Sequence, residues 1–248
     1  QQKAPFETFG FLVLRQLFSP EEAANIKQEA TEIFDEVRGN TTFTGEVWEQ
    51  VQPFFERRPF MSTLADDDRV YDIGVALCGP DFVLDGTEGN NHVGDTAWHS
   101  SAPKGLDGAA TRRPSYKGYG EFSLPNVKIT LYPEPTTKDT GCLRVIPGSH
   151  KRPWFDELDE RPPLRHAWAR QDFARAEADD VIESTPGYAC ETDPGDVVAF
   201  DDRLYHASVG GSNDRHQCDI TYLKYPRTPQ EVAATILEID RQGVPDAI

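Results

Sequence analysis

The apolar and polar positions follow a helical pattern before residue 80 and a strand pattern after it. Near the start, a short apolar run of strand length, "FGFLVLRQL" at 9–17, precedes a helix-start signal. Ser19 followed by Glu22 three positions later is typical of a capping box. Apolar side chains then recur at helical spacing along one face, at Ile26, Ile33 and Val37. The pattern predicts a helix of about 18 residues that ends at Gly39-Asn40.

From residue 81 onward, short alternating runs are separated by Gly, Pro and Asn. These runs are "DFVLDG", "NVKITLYPEP", "GCLRVIPGS", "GYACETDPGDVVAF" and "CDITYLKYP". In the second run, one strand face carries Val127, Ile129 and Leu131, and the other carries Lys128 and Thr130. Several short strands with frequent turns predict a barrel or sandwich rather than a doubly wound parallel sheet.

The organisation that follows is one domain over 1–248. It has a helical N-terminal part at about 1–80 and a β core at about 81–225. The segment at about 151–185, rich in Arg, Asp and Glu, is too long for a simple connection, so we expect a functional lid with some helix of its own. A second capping-box pattern at Thr228 and Glu231 predicts a C-terminal helix at about 228–240.

Composition limits the kinds of partner. The chain has 25 Lys plus Arg against 42 Asp plus Glu, a net charge of −17, which disfavours nucleic acid and anionic membrane surfaces. No apolar run reaches the length of about 18 residues expected of a membrane span, and the first residues lack a signal-peptide pattern. The four scattered cysteines predict free thiols in a reducing compartment, hence a cytoplasmic protein. Composition leaves the oligomeric state open.

Candidate chemistry lies in an ordered set of histidine and arginine motifs. His99 follows an early strand in "WHSS", "GCLRVIPGSH" comes next, and His206 lies in "GDVVAFDDRLYHAS". Arg215 follows nine residues later. Imidazole nitrogens suit Fe(II), and a guanidinium binds a carboxylate with two parallel hydrogen bonds. The two histidines can meet only if the sheet closes on itself.

With these three motifs in this order, the sequence resembles the phytanoyl-CoA dioxygenase family of iron(II)- and 2-oxoglutarate-dependent oxygenases over roughly residues 5–225. The resemblance implies a mainly β fold with flanking helices, a double-stranded β-helix or jelly roll. It also implies the cofactors Fe(II), 2-oxoglutarate and O2, with His99 and His206 as iron ligands and Arg215 binding the 2-oxoglutarate carboxylate. Candidates that help to hold this co-substrate are Ser208, Lys128 and Thr130.

The family pattern has an acid two positions after the first histidine, whereas this chain has Ser101. A serine hydroxyl is a poor iron ligand beside a carboxylate, so one position and one negative charge are lost. Asp202 precedes His206 by four residues, a separation of about 13 Å along a regular strand, so it does not replace the acid. In related halogenases a small residue occupies this position and a halide binds the iron. Ser101 is therefore the candidate catalytic position, with chloride or bromide as a possible iron ligand.

Three functions stay open at this point. The first is radical halogenation of an aliphatic carbon. The second is hydroxylation, with a water molecule completing the iron site. In the third, the chain has lost catalysis with its acid and serves as a binding or scaffold protein.

The substrate is expected to be a small molecule, and an anionic group is one feature that the sequence leaves open. Basic and aromatic side chains cluster in two segments of an otherwise acidic chain, which suits a carboxylate, phosphate or nucleotide-like group. The weak candidates for substrate contact are Arg113, Tyr119, Arg165 and Trp168. Surface charges that pair with the abundant carboxylates explain the same pattern equally well.

Overall fold

Two antiparallel sheets form the centre of the molecule. The computed structural model describes residues 2–100, 126–151, 185–210 and 215–233. The larger sheet has six strands in the order β1-β8-β5-β10-β3-β2, and the smaller has four in the order β4-β9-β6-β7. The strands are β1 (Phe11–Leu14), β2 (Glu49–Val51), β3 (Val83–His92), β4 (Thr96–His99), β5 (Asn126–Leu131), β6 (Leu143–Val145), β7 (Tyr188–Cys190), β8 (Val197–Asp201), β9 (His206–Ser208) and β10 (Arg215–Leu223).

Four helices flank the larger sheet. They are α1 (Lys3–Phe9), α2 (Pro20–Val37), α3 (Pro59–Leu64) and α4 (Asp68–Cys78), with a short 3-10 turn at Phe55–Arg57. The predicted fold class, mainly β with flanking helices in a jelly roll, is confirmed by these paired antiparallel sheets and by the solved structures described below.

The two faces of the larger sheet have different surroundings. On β5, Val127, Ile129 and Leu131 are buried against the helices, in one cluster with Ile33 and Phe34 of α2. Lys128 and Thr130 lie on the opposite face, as their alternation in the sequence predicts. Strand β8 is buried throughout because its alternate residues contribute to both the helix-side core and a second core between the sheets.

Both edge strands of the larger sheet come from the first 80 residues. Strand β1 pairs with β8, and β2 pairs with β3. Strand β1 lies within the apolar run of strand length at 9–17, so that prediction is confirmed, whereas no strand was predicted at β2. Each is short, with 4 and 3 residues, and pairing with distant strands rather than local propensity fixes it in the sheet.

Helix α2 has the predicted start and length. The Ser19 hydroxyl accepts a hydrogen bond from the Glu22 amide, the Glu22 carboxylate accepts one from the Ser19 amide, and the helix is 18 residues long. The predicted apolar face is wrong at its last position, because Val37 is 54% exposed. Ala30 and Phe34 belong to the buried face instead.

The remaining sequence predictions concern the C-terminus and the cysteines. Residues 229–233 are helical, and Thr228 and Glu231 exchange the hydrogen bonds of a capping box. The rest of the predicted helix and most of the predicted lid lie outside the described residues. All four cysteines are free and buried. In the described ranges, no helix combines the length and the apolar character that crossing a bilayer requires.

Phe34→Ala is expected to destabilise the protein by about 3–5 kcal/mol, as for other buried aromatic truncations. The ring is 1% exposed and stacks on His216 of β10 at a centroid distance of 5.3 Å, so its loss opens a cavity between α2 and the sheet. Val37→Ala on the same helix is the control, with an expected change of about 0.5 kcal/mol or less. Urea denaturation measures both, and equal effects would contradict this packing.

Candidate active site

Two histidines meet where β4 pairs with β9. His99 lies directly opposite His206 in the strand register, although 206 − 99 = 107 positions separate them. Their ring centroids are 4.0 Å apart, and the ring planes are inclined by 54°. At this separation two imidazoles can present nitrogens to one metal ion.

The surroundings of His206 suit a metal ligand. Its Nδ1 lies 2.8 Å from the Leu204 carbonyl oxygen, so Nδ1–H donates there and Nε2 has the free lone pair. Burial lowers the pKa of His206 to about 4, so the ring is neutral near pH 7. A neutral, oriented imidazole binds a metal without first losing a proton.

No third protein ligand accompanies this pair among the residues that the structure describes. They contain no group of three His, Cys, Asp or Glu side chains that could hold a metal ion. Asp202 is 6% exposed, and its Oδ1 has no hydrogen-bond partner, yet it does not complete such a group with the histidines. Ser101 itself lies outside the described residues.

Arg215 is a buried cation beside this site. It is 3% exposed, and it donates hydrogen bonds to the Gly141 carbonyl and, at 3.1 Å, to the Ser208 hydroxyl. Its Nε has no partner, and none of the ion pairs between described residues includes it. Burial lowers the pKa of Arg215, but a guanidinium stays protonated. A buried cation without an ion-pair partner creates a site for an anionic ligand.

Ser208 and Lys128 lie near the two histidines, at the surface of one cavity. Burial by itself lowers the pKa of Lys128, but Asp202, Glu88 and Asp219 raise it above its usual value overall. The Lys128 Nζ lies 3.8 Å from Asp219 Oδ2. The ammonium is therefore retained inside the sheet by neighbouring carboxylates.

Thr130, unlike Ser208 and Lys128, does not lie at the cavity surface. Its hydroxyl donates a hydrogen bond of 2.6 Å to Asp219 Oδ1, and Thr130 does not line the cavity. Asp219 is fully buried, and burial raises its pKa to about 7. In the structure, the Thr130 hydroxyl thus satisfies a buried carboxyl group, and its contact with the co-substrate stays a prediction.

The cavity between the sheets has a volume of about 760 Å³. This is within the range of small-molecule sites. Its lining includes the two histidines and the apolar residues Leu143 and Phe200. Its polar side includes Trp48, Glu88, Asn90, His92 and Gln217.

Sequence reasoning missed this polar side. The sequence does contain a pattern that indicates a polar strand face. Polar residues occupy every second position in β3 (Glu88, Asn90, His92) and in β10 (Arg215, Gln217, Asp219). In the register, Gln217 pairs with Asn90 and Asp219 with Glu88, so these side chains share one face. No comparable sequence pattern predicts that Trp48 lines the cavity. The predicted substrate contacts Arg113, Tyr119, Arg165 and Trp168 lie outside the described residues.

The jelly roll with two facing histidines and a buried arginine defines the class of iron(II)- and 2-oxoglutarate-dependent oxygenases. Within this class, the chain belongs to the phytanoyl-CoA dioxygenase family, whose model matches residues 6–217.

Comparisons with known proteins agree with this assignment. The chain is 25% identical to an ectoine dioxygenase from Sphingopyxis alaskensis, over 85% of this chain and 70% of the relative. Its fold is similar to that of HygX from Streptomyces hygroscopicus with nickel and 2-oxoglutarate bound. The TM-score is 0.66 at 20% identity, over 90% of this chain and 85% of HygX. EctD from S. alaskensis with 2-oxoglutarate and 5-hydroxyectoine has a TM-score of 0.59, over 90% of this chain and 74% of that one.

His206→Gln is expected to flatten the pH dependence of stability in the metal-free protein. The folded pKa of about 4 lies below the unfolded value of about 6.5, so the unfolded state binds the extra proton between them. This histidine therefore makes the free energy of unfolding rise with pH in that window. Its removal should reduce the slope of that free energy against pH by the equivalent of up to about one bound proton. Urea denaturation across the window measures it; an unchanged slope would contradict the buried neutral imidazole.

Proposed function

We propose that the protein uses Fe(II), 2-oxoglutarate and O2 to halogenate an aliphatic carbon of a small metabolite. 2-Oxoglutarate and O2 are converted to succinate, CO2 and water. A substrate C–H bond is broken, and a carbon–halogen bond forms with uptake of a halide and a proton. The observation that carries the proposal is the facing pair of His99 and His206, together with serine at the position of the family acid. Among the described residues, no third His, Cys, Asp or Glu joins the pair in a group that could hold a metal ion.

His99 and His206 hold the metal in this proposal. The hydrogen bond from His206 Nδ1–H to the Leu204 carbonyl orients the ring and directs Nε2 away from the strand. Bound iron, with its co-substrate, supplies the oxidising power for C–H cleavage. The protein orients the ligands and the substrate and limits the access of water.

Arg215 binds the distal carboxylate of 2-oxoglutarate. The carboxylate would satisfy the orphan Nε and compensate the buried charge, and Ser208 would add a hydroxyl donor beside it. Lys128 is the weaker candidate for this role because Asp219 and Glu88 already compensate its charge.

Halide binding follows from charge as well as space. Replacing the acid with Ser101 removes a negative ligand and leaves room beside the metal. A chloride or bromide bound there would replace the lost ligand and its negative charge. Serine is a small residue, as Gly and Ala are.

Hydroxylation is the second candidate, and the 25% identity to an ectoine dioxygenase favours it. In this case a water molecule held by the Ser101 hydroxyl completes the site. Substrate, 2-oxoglutarate and O2 then give the alcohol, succinate and CO2. A scaffold without catalysis is the third alternative, and the retained histidines and arginine argue against it.

Ser101→Asp and Ser101→Ala form a matched pair that separates these candidates. If the halide occupies the vacated position, Asp should abolish the effect of bromide on the anaerobic Fe(II)–2-oxoglutarate charge-transfer band, and Ala should retain it. Anomalous scattering from a bromide-soaked crystal locates the ion directly. A wild-type band that is indifferent to halide would favour hydroxylation, and no band at saturating ligand would favour the scaffold.

Arg215→Ala is expected to weaken 2-oxoglutarate binding by about 2–5 kcal/mol, as for a buried charge pair that loses one partner. The charge-transfer band, titrated with 2-oxoglutarate under anaerobic conditions, measures the affinity. Arg58→Ala is the control, because Arg58 pairs with Glu36 in the helical layer. Equal affinities in Arg215→Ala and wild type would remove Arg215 from the site.

A further inference from the structure

The side chains on the polar side of the cavity form two hydrogen-bonded groups, which the stacking of Trp48 on His92 connects. We define this polar wall as Trp48, Glu88, Asn90, His92 and Gln217. Trp48 Nε1 donates to Asn90 Oδ1 at 3.0 Å, and Asn90 Nδ2 donates to Glu88 Oε1 at 2.5 Å. His92 Nε2 lies 2.9 Å from Gln217 Oε1, a hydrogen bond between neighbouring strands. The wall is therefore held in a fixed arrangement before any ligand binds.

Negative charge dominates the described surface of the cavity. Three carboxylates line it, those of Glu46, Glu88 and Asp95, against one ammonium, that of Lys128. Asp219, 3.8 Å from that ammonium and behind the cavity surface, compensates it further. Arg215 is not part of the cavity surface. A cavity lined by an excess of one charge attracts ligands of the opposite charge.

Trp48 adds an aromatic surface at the same wall. Its indole is 39% exposed and stacks on His92 at a centroid distance of 5.7 Å, with the rings inclined by only 6°. The hydrogen bond to Asn90 and this stacking fix the plane of the indole. An exposed, oriented indole beside carboxylates is the arrangement that binds an organic cation most strongly.

We infer that the substrate of this cavity is a small, hydrophilic molecule with a protonated amine. The ammonium group lies between the Glu88 carboxylate and the Trp48 ring, while Asn90 and Gln217 bind neighbouring hydroxyl or amide groups. Anchored there, the molecule extends across the cavity and brings an aliphatic carbon toward His99 and His206. This assignment rests on the proposed function, because it takes the histidine pair as the reacting centre.

The alternative of an anionic substrate depends on Arg113 and Arg165, which lie outside the described residues. Within those residues, the carboxylate oxygens of Glu88 would repel a carboxylate or phosphate at the polar wall. An acyl chain without polar groups would displace water from the charged Glu88 carboxylate and the other polar groups of the wall, which costs free energy.

Matched probes test the charge preference without a turnover assay. The wild-type protein is loaded anaerobically with Fe(II) and 2-oxoglutarate, and ligand-observed NMR measures the affinity of two series. One series is glucosamine, glucose and glucuronate; the other is 5-aminopentanol, 1,5-pentanediol and 5-hydroxypentanoate. In at least one series, the amine should bind about tenfold or more tightly than the carboxylate, a difference of about 1.4 kcal/mol.

Two variants locate the binding. Glu88→Gln and Trp48→Leu should each reduce the affinity for the amine several-fold, and Glu21→Gln on the exposed start of α2 should leave it unchanged. An amine that bound iron directly would keep its affinity in both wall variants and would overturn the inference. Equal or tighter binding of the carboxylates in both series, or no binding of either amine, would overturn it as well.

The charge-transfer band separates this inference from the proposed function. If the band forms and the probes show no preference for the amine, the polar wall does not select a cation and the oxygenase proposal stands. If the band does not form, the oxygenase proposal fails first, and the substrate assignment fails with it.

Discussion

The pairing of β4 with β9 is the constraint on which the site depends. It sets His99 opposite His206, and β9 is also paired on its other edge with β6, where Val145 lies opposite His206. A slip of one residue in either pairing would turn His206 away from the cavity. Because β9 is hydrogen-bonded to β4 on one edge and to β6 on the other, a slip would break both sets of hydrogen bonds. The two imidazoles therefore stay together.

The larger sheet supports this arrangement by separating apolar from polar surroundings. Its outer face packs against α2, α3 and α4 in one hydrophobic cluster. Its inner face can therefore carry groups that a core would reject, including Lys128, Asp219 and Arg215. Arg215 lacks an ion-pair partner among the described side chains, a local cost typical of ligand sites. The outer face of these strands thus contributes to stability, and the inner face carries the groups that bind ligands.

Prediction from sequence succeeded where a local rule decides the outcome. The Ser19–Glu22 capping box starts α2 because both partners lie within one helical turn. The alternation in β5 separates Val127 from Lys128 because successive strand residues face opposite ways. Prediction failed for Val37, which is exposed, and it missed the edge strand β2, which is fixed by pairing with the distant strand β3.

The sequence by itself determined the family, the fold class and the ordered set of His99, His206 and Arg215, since these follow from motifs and periodicity. The sequence also shows that Ser101 lies two positions after His99, where the family has an acid. Only the tertiary structure decided that the Thr130 hydroxyl binds Asp219, and that Trp48, Glu88 and Gln217 line the same cavity as the histidine pair. The physical reason is that strand register and sheet closure join residues more than 100 positions apart, and no local pattern encodes those contacts.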